Sequence, residues 1–199
     1  KIGLAKHLAK ALSYVHTYGF VHKSIRPETI LVFSSGDTSA PFLLGFERFR
    51  LAEGRTWRRG DRMWKDLYRH PSRQGVTPEE DYVMQHDIYS LGVCLLEVGL
   101  WQSFLAYPSE GVPDSEPIPQ IGQGTASPSR AKDELLSMAR NQLPRLMGDK
   151  YTRVVINCLT CLDEDNLDFQ DENQFLDADG VLIGVRYIQK VSSAMTVAS

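Results

Sequence analysis

Apolar positions recur along most of the chain with the period of an α-helix. In the first segment they stand three or four residues apart, at Leu4, Ala5, Leu8, Ala9, Leu12 and Val15. This spacing predicts a helix, and Gly19 follows at the position where helices commonly end. Residues 86–100 are apolar on nearly every side, which is typical of a helix buried at the centre of a domain. Two further helices are predicted over 131–146 and 150–162, and a last one over 181–191.

Short strands and loops separate these helices. Residues 30–33 have the β-branched and aromatic character of a strand, 34–41 contain turn-forming residues, and 41–46 return as a second strand. The sequence therefore predicts a mainly α fold with a short β-hairpin. The polar, arginine-rich stretch 48–82 is expected to be an exposed loop, and 102–130, rich in Pro, Ser and Gly, a loop or flexible insert.

The composition is that of an ordinary soluble globular protein. Hydrophobic residues make up 42% of the chain and the formal net charge is −3, so no basic face indicates nucleic-acid binding. No apolar run approaches the roughly 20 residues that span a bilayer. Three cysteines do not form a disulfide framework, which favours a reducing, cytoplasmic location. Two of them, in Cys158-x-x-Cys161, are expected to pack in the core rather than to hold a metal.

Five motifs, in one order and at workable spacing, carry a family resemblance. HKSIRPETIL (22–31) resembles the catalytic loop of protein kinases, which commonly reads HRDLKPENIL. The other four are LLGFERF (43–49) at the place of D-F-G, YRHPSRQG (68–75) at A-P-E, DIYSLGVCLLE (87–97) at the central helix and NCLTCLD (157–163) at a late helix. The resemblance implies a protein-kinase-like C-terminal lobe.

The resemblance also divides the chain. We expect residues 1–165 to form the lobe, and 166–199 to form an acidic connector and a C-terminal helix packed on it. The first predicted helix begins at Lys1 without a capping residue, and no Gly-x-Gly-x-x-Gly occurs. We therefore expect a chain cut from a longer protein, without the small N-terminal lobe that carries the glycine-rich loop in the family.

The three residues on which kinase chemistry depends are replaced. The family's catalytic-loop aspartate, which accepts the proton of the substrate hydroxyl, corresponds to Ser24. Its magnesium-binding asparagine corresponds to Thr29, and the D-F-G aspartate to Gly45. A hydroxyl is not a useful base near neutral pH, and loss of a positioned base costs about 10²–10⁴-fold in rate. The resemblance therefore implies a pseudokinase, with no catalytic residue, no metal ligand and no cofactor.

Other residues match positions that support the family's fold. His22 and Phe46 match residues that pack together in its core, and Asp87 matches one that accepts hydrogen bonds from the catalytic-loop backbone. An acid at the start of a helix is also favoured by the helix dipole, which is a plain structural explanation for Asp87. Ser72 stands where the A-P-E glutamate should be, and its arginine partner is missing too, which leaves no buried unpaired charge.

The arginine-rich stretch offers candidates for regulation. RTWRRGDRMWK (55–65) mixes five cationic residues with two tryptophans, and we expect a protein-contact or regulatory loop there rather than a nucleic-acid site. Thr56, Tyr68 and Thr77 are candidate phosphate acceptors in the same predicted loop.

Together these features predict a regulatory or protein-interaction domain. HKSIRPETILVF and the ending DGVLIGVRYIQKV also resemble fungal kinase-like domains that often follow helical, prion-linked modules of the HeLo type in signalling or self-recognition proteins. The expected partners are other proteins or an upstream module of the same polypeptide. One alternative is a working Ser/Thr kinase that binds ATP and magnesium through unusual residues once an N-terminal lobe is present. Another is a truncated product with no function of its own.

Overall fold

The computed structural model describes residues 1–35, 38–46, 50–51, 63–74, 81–106, 118–119, 121 and 128–166. The predicted helix over 181–191 and the acidic connector beyond 166 lie outside these residues. So do Thr56, Thr77 and residues 55–62 of the arginine-rich loop.

Three helical spans within the described residues confirm the helices predicted there. Helix α1 is Ile2–Thr17, and Gly19 beyond it has a φ of +70°, a left-handed conformation that glycine adopts without steric cost. Helix α2 is Met84–Leu100. Helix α3 is Pro128–Leu159, and the non-helical Gly148 (φ 79°, ψ 168°) divides it into the two helices expected from the sequence. None of these helices has the length and apolarity that a bilayer crossing requires.

The predicted β-hairpin is present. Strand β2 (Ile30–Ser35) pairs antiparallel with strand β3 (Thr38–Leu43), with Ile30 opposite Leu43, and β3 contacts α1. Two further antiparallel pairs, of two residues per strand, are β1 (Phe20–Val21) with β4 (Arg50–Leu51) and β5 (Leu105–Ala106) with β6 (Ile118–Pro119). The described residues are therefore mostly helical, with small two-stranded sheets, which is compatible with the expected fold class.

Helix α2 lies at the centre of the hydrophobic core. All its residues are buried except Val98 and Leu100, which are half-buried. Helix α3 comes very close to it, since a Cβ atom added at Gly92 would lie 2.7 Å from Cβ of Cys158. The hydroxyl of Tyr151 on α3 also donates to the carbonyl of Leu95, at 2.7 Å. The near-complete burial of α2 explains why its sequence is apolar on nearly every side.

The described parts of the stretch 102–130 hold more structure than their composition indicates. Phe104, Leu105 and Ile121 are buried in the main core, and α3 begins at Pro128, inside the expected insert. Burying these apolar side chains offsets the entropy of ordering the chain around them. Composition reports the Pro, Ser and Gly content but not where the few apolar residues go.

Candidate functional site

Asp87, at the start of α2, is hydrogen-bonded to the loop at 22–29, which carries the family resemblance. One carboxylate oxygen of Asp87, Oδ2, accepts a hydrogen bond from the backbone N–H of His22 at 2.7 Å. The other, Oδ1, accepts from the backbone N–H of Lys23 at 2.8 Å. Lys23 has a φ of +66°, an unusual conformation for a residue with a side chain, and this bond helps to keep it there. Asp87 thus makes the backbone contacts that the resemblance implies.

Two side chains complete the contacts of the Asp87 carboxylate. Nε2 of His16, near the end of α1, lies 3.0 Å from Oδ2, and the hydroxyl of Tyr82 donates to Oδ1 at 2.7 Å. Burial acts to raise the pKa of Asp87, but His16 and the other hydrogen bonds outweigh burial and hold that pKa below its usual value. The negative charge of this buried carboxylate therefore strengthens the hydrogen bonds that hold the loop in place.

The hydroxyl groups of Ser24 and Thr29 form hydrogen bonds within the loop itself. Both residues are buried, at 4% exposure each. Oγ of Ser24 accepts a hydrogen bond from Nη1 of Arg26 at 2.5 Å. Oγ1 of Thr29 lies 2.7 Å from the carbonyl oxygen of Ser24 and 2.9 Å from that of Arg26, and it accepts from the Arg26 N–H at 3.2 Å. Thr29 therefore closes the turn of the loop.

Gly45 and Phe46 follow the hairpin and return to this loop. Gly45 has a φ of +86°, a left-handed conformation that favours glycine over any residue with a side chain. The ring of Phe46 meets the ring of His22 edge to face, with centroids 4.7 Å apart. His22 is fully buried, whereas Phe46 is 46% exposed. The structure thus brings together the two rings that the resemblance pairs.

Ser72, the residue at the A-P-E glutamate position, contacts two histidines. Its Oγ lies 2.9 Å from Nδ1 of His70 and 3.4 Å from Nε2 of His86. Burial, with the neighbouring His70 and Arg73, lowers the pKa of His86 to about 3. His86 is therefore neutral at physiological pH, and its Nδ1 accepts a hydrogen bond from the backbone N–H of Val83. Ser72 therefore makes polar contacts with two histidine rings, one of which, His86, is neutral.

Sequence reasoning missed a second buried carboxyl group, that of Glu97 near the end of α2. Its Oε1 atom accepts hydrogen bonds from the hydroxyl of Tyr68 at 2.9 Å and from the backbone N–H of Phe104 at 2.7 Å. Burial raises the pKa of Glu97 to about 7, although these hydrogen bonds act to lower it. An acid within an apolar helix was a signal in the sequence, but its partner Tyr68 is 29 positions away and its partner Phe104 lies beyond the end of the helix.

The same contact corrects the reading of Tyr68 as a candidate phosphate acceptor. Its side chain is 2% exposed and its hydroxyl is bonded to Glu97, so an enzyme cannot reach it in the folded state. Burial also raises the pKa of Tyr68 far above its usual value. Tyr68 is a core residue of this fold.

The cysteines behave as core residues, as expected. Cys158 and Cys161 are buried, and Sγ of Cys161 donates to the carbonyl of Gln85 at 3.3 Å. Burial raises the pKa of the Cys158 thiol to about 12 and also raises that of Cys161, so neither thiol has the thiolate character of a metal ligand or nucleophile. Within the ranges that the structure describes, no group of three or more His, Cys, Asp or Glu side chains could hold a metal ion.

An exposed apolar surface lies on and beside the hairpin. The rings of Phe33 and Phe42 meet edge to face across the two strands, with centroids 5.5 Å apart. We call the following half-exposed side chains the hairpin surface: Leu31, Phe33, Phe42, Leu44 and Phe46. A cluster of this kind on a folded domain marks a place where another surface can bind.

Comparison with known proteins finds similarity to a protein kinase. No family model matches the chain. The chain is 27% identical over 164 residues to the MAP kinase kinase skh1/pek1 of Schizosaccharomyces pombe. The match covers 81% of this chain but only 39% of that protein, so the chain spans well under half the length of this relative. The similarity supports a protein-kinase-like relationship for the chain.

Proposed function

We propose that this chain is a catalytically inactive kinase-like domain, a pseudokinase, that acts by binding or regulating other proteins. The observation that carries the proposal is the burial and hydrogen bonding of the Ser24 and Thr29 hydroxyl groups. They stand where the family places its base and a magnesium ligand, and both hydroxyls are buried and bonded within the loop.

The chemistry of these groups supports an inactive site. Phosphoryl transfer depends on positioned charge, above all a carboxylate base and carboxylate-bound magnesium. Oγ of Ser24 faces the Arg26 guanidinium, and a hydroxyl next to a cation accepts protons poorly. Gly45 has no side chain to offer a metal. The carboxylate of Glu28 is paired with Arg26 instead, at 3.5 Å.

The retained features support a binding role. Asp87 still fixes the 22–29 loop through buried hydrogen bonds although the chemistry of that loop has changed. The hairpin surface is apolar and exposed, which suits contact with another protein or with an upstream module of the same polypeptide. We place this role in fungal signalling or self-recognition, in the cytoplasm, because the motifs resemble kinase-like domains found in that setting.

Phosphate transfer by the natural polypeptide that contains this chain tests the proposal. The protein is incubated with radiolabelled ATP, Mg²⁺ or Mn²⁺ and a general protein substrate. A variant with Ser24→Asp, Thr29→Asn and Gly45→Asp restores the family's residues and serves as the comparison. We expect wild-type incorporation to equal that of a heat-denatured sample.

A working kinase with unusual residues gives a different result. Wild-type incorporation above background, lost in Ser24→Ala or Glu28→Gln, would show that this loop catalyses transfer and would overturn the proposal. Binding of ATP and magnesium without transfer, seen as a rise in melting temperature, would leave the domain inactive but retain a nucleotide as a regulator.

A further inference from the structure

We propose that Glu97 is a proton-dependent clamp that holds segment 63–68 and turn 101–106 against α2, and that the clamp opens more readily once its carboxyl group ionises. Tyr68 belongs to the first segment and Phe104 to the second, and both donate to Oε1 of Glu97. One carboxyl oxygen therefore joins α2 both to the turn that follows it and to segment 63–68.

The carboxyl group has neutral donors and no cation bonded to it among the described residues. Glu97 is 8% exposed, and both of its hydrogen bonds come from uncharged groups. Among the described residues, the titratable and charged groups near this part of α2 are, element by element, Tyr68 of segment 63–68, Cys94 of α2, Arg26 and Glu28 of the 22–29 loop, Tyr151 of α3 and Lys1 before α1.

None of the cations among these groups is paired with Glu97, since Arg26 lies 3.5 Å from the carboxylate of Glu28. Lys1 donates through Nζ to the carbonyl of Gly99, and Tyr151 donates to the carbonyl of Leu95. Glu28 carries the same charge as an ionised Glu97 and raises its pKa further. The site is therefore built for the neutral acid rather than for the carboxylate.

Protonation and ionisation affect the clamp differently. A proton on Oε2 leaves Oε1 free to accept both hydrogen bonds, so the closed state suits the neutral acid. An ionised carboxylate would lie in a buried site with no counter-ion bonded to it among the described residues, and opening would return it to water. Burial raises the pKa of Glu97 to about 7 from an ordinary 4.5, so the group titrates near physiological pH.

The two pKa values of Glu97, about 7 and 4.5, determine how strongly opening depends on pH and over which pH range. The carboxyl group of Glu97 retains its proton up to about pH 7 when the clamp is closed, and up to about pH 4.5 when the clamp is open. Opening therefore becomes easier as the pH rises between these values, by as much as about tenfold per pH unit and about 300-fold in all. Above about pH 7 both forms are ionised, and the effect levels off.

Amide hydrogen exchange measured by NMR on the chain tests the clamp. The Phe104 amide reports directly, since its N–H is one of the two bonds to Glu97. Rates are taken from about pH 5 to pH 8 and corrected for the intrinsic pH dependence of exchange. We expect the protection of this amide to fall steeply up to about pH 7 and then level off.

Two variants and one titration decide the outcome. In Glu97→Gln, which retains the acceptor oxygen, the corrected protection should not vary with pH, whereas the exposed Glu164→Gln should behave as wild type. Equal pH dependence in wild type and Glu97→Gln would overturn the proposal. If Glu97→Gln does not fold, the ¹³C shift of the wild-type Glu97 carboxyl group decides: a midpoint near pH 7 supports the clamp, and one below about pH 5 overturns it.

Discussion

Nε2 of His16 lies 3.0 Å from Oδ2 of Asp87, although 71 positions separate the two residues in the sequence. The same oxygen accepts the backbone N–H of His22. This contact joins the end of α1, the start of α2 and the 22–29 loop around one buried carboxylate. Because Asp87 is fully buried, water cannot readily supply the hydrogen bonds that its carboxylate makes.

Replacing Asp87 by asparagine should strongly destabilise the fold. The amide retains one acceptor oxygen but turns a donor toward groups that themselves donate, and it removes the charge. We expect the free energy of unfolding at pH 7 to fall by about 2–4 kcal/mol, measured by urea denaturation. Asp81→Asn, an exposed change on the same segment, is the matched control and should have little effect.

The same variant makes a prediction about pH. The pKa of Asp87 is lower in the folded state than its usual value of 3.8, so the stabilisation is present above pH 3.8 and is lost as the pH falls through the folded-state pKa. The difference between wild type and Asp87→Asn should therefore shrink in acid. A constant difference down to about pH 2 would contradict this account of the carboxylate.

Removing the hydroxyl of Thr29 should loosen the 22–29 loop. Thr29→Val has a similar shape but loses the hydroxyl, whose single hydrogen is shared between the carbonyls of Ser24 and Arg26 and whose oxygen accepts the Arg26 N–H. We expect a loss of about 1–3 kcal/mol in the free energy of unfolding, because buried polar groups are left unpaired. Thr29→Ser retains the hydroxyl and should cost less, and equal losses would mean that the methyl group contributes as much to stability as the hydroxyl.

Local features of the fold could be predicted from the sequence. The spacing of apolar residues located α1, α2 and both parts of α3, and the left-handed Gly19 marked the end of α1. The turn residues between two apolar runs located the β2–β3 hairpin. Each of these depends on neighbours within a few positions, which a sequence pattern records directly.

Contacts between distant residues could not be predicted in the same way. His16 belongs to a helix whose pattern shows only that one side is buried, and nothing nearby indicates Asp87 as its partner. Glu97 looked like one acid in an apolar helix, while Tyr68 and Phe104 stood in stretches that read as loops. The family resemblance indicated the Asp87 contacts to the loop because it carries three-dimensional information that periodicity lacks.

Enlarging Gly92 should force α2 and α3 apart. A methyl group there would lie 2.7 Å from Cβ of Cys158 and 3.3 Å from the backbone of Cys158 and Leu159. We expect Gly92→Ala to lower the free energy of unfolding by at least about 1–3 kcal/mol, the usual cost of overpacking, despite the better helix propensity of alanine. Thermal unfolding followed by circular dichroism measures this.

A second glycine in a helix provides the control. A Cβ atom at Gly3 in α1 meets no other atom within 4 Å. Gly3→Ala should therefore leave stability unchanged or raise it by up to about 1 kcal/mol. If the two variants have the same effect, then backbone propensity and not the close approach of α3 determines the result at Gly92.

Glu97 and His86 should make opposite contributions to the pH dependence of stability. The folded state binds the Glu97 proton up to about pH 7, against an ordinary 4.5, so this group makes stability fall as the pH rises between those values. Folding holds His86 neutral down to about pH 3, against an ordinary 6.5, so this group makes stability rise with pH over that range. Between about pH 4.5 and 6.5 the two contributions cancel.

Replacing Glu97 should reveal the contribution of His86 to the pH dependence of stability. In Glu97→Gln, stability relative to wild type should increase with pH by up to about 1.4 kcal/mol per unit between pH 4.5 and 6.5, because the contribution of His86 is no longer opposed. Urea denaturation at a series of pH values measures this slope, and the exposed Glu164→Gln should run parallel to wild type. A Glu97→Gln curve that also runs parallel to wild type would mean that Glu97 is already ionised in the folded protein, since only a carboxyl group protonated in the folded state can mask the histidine.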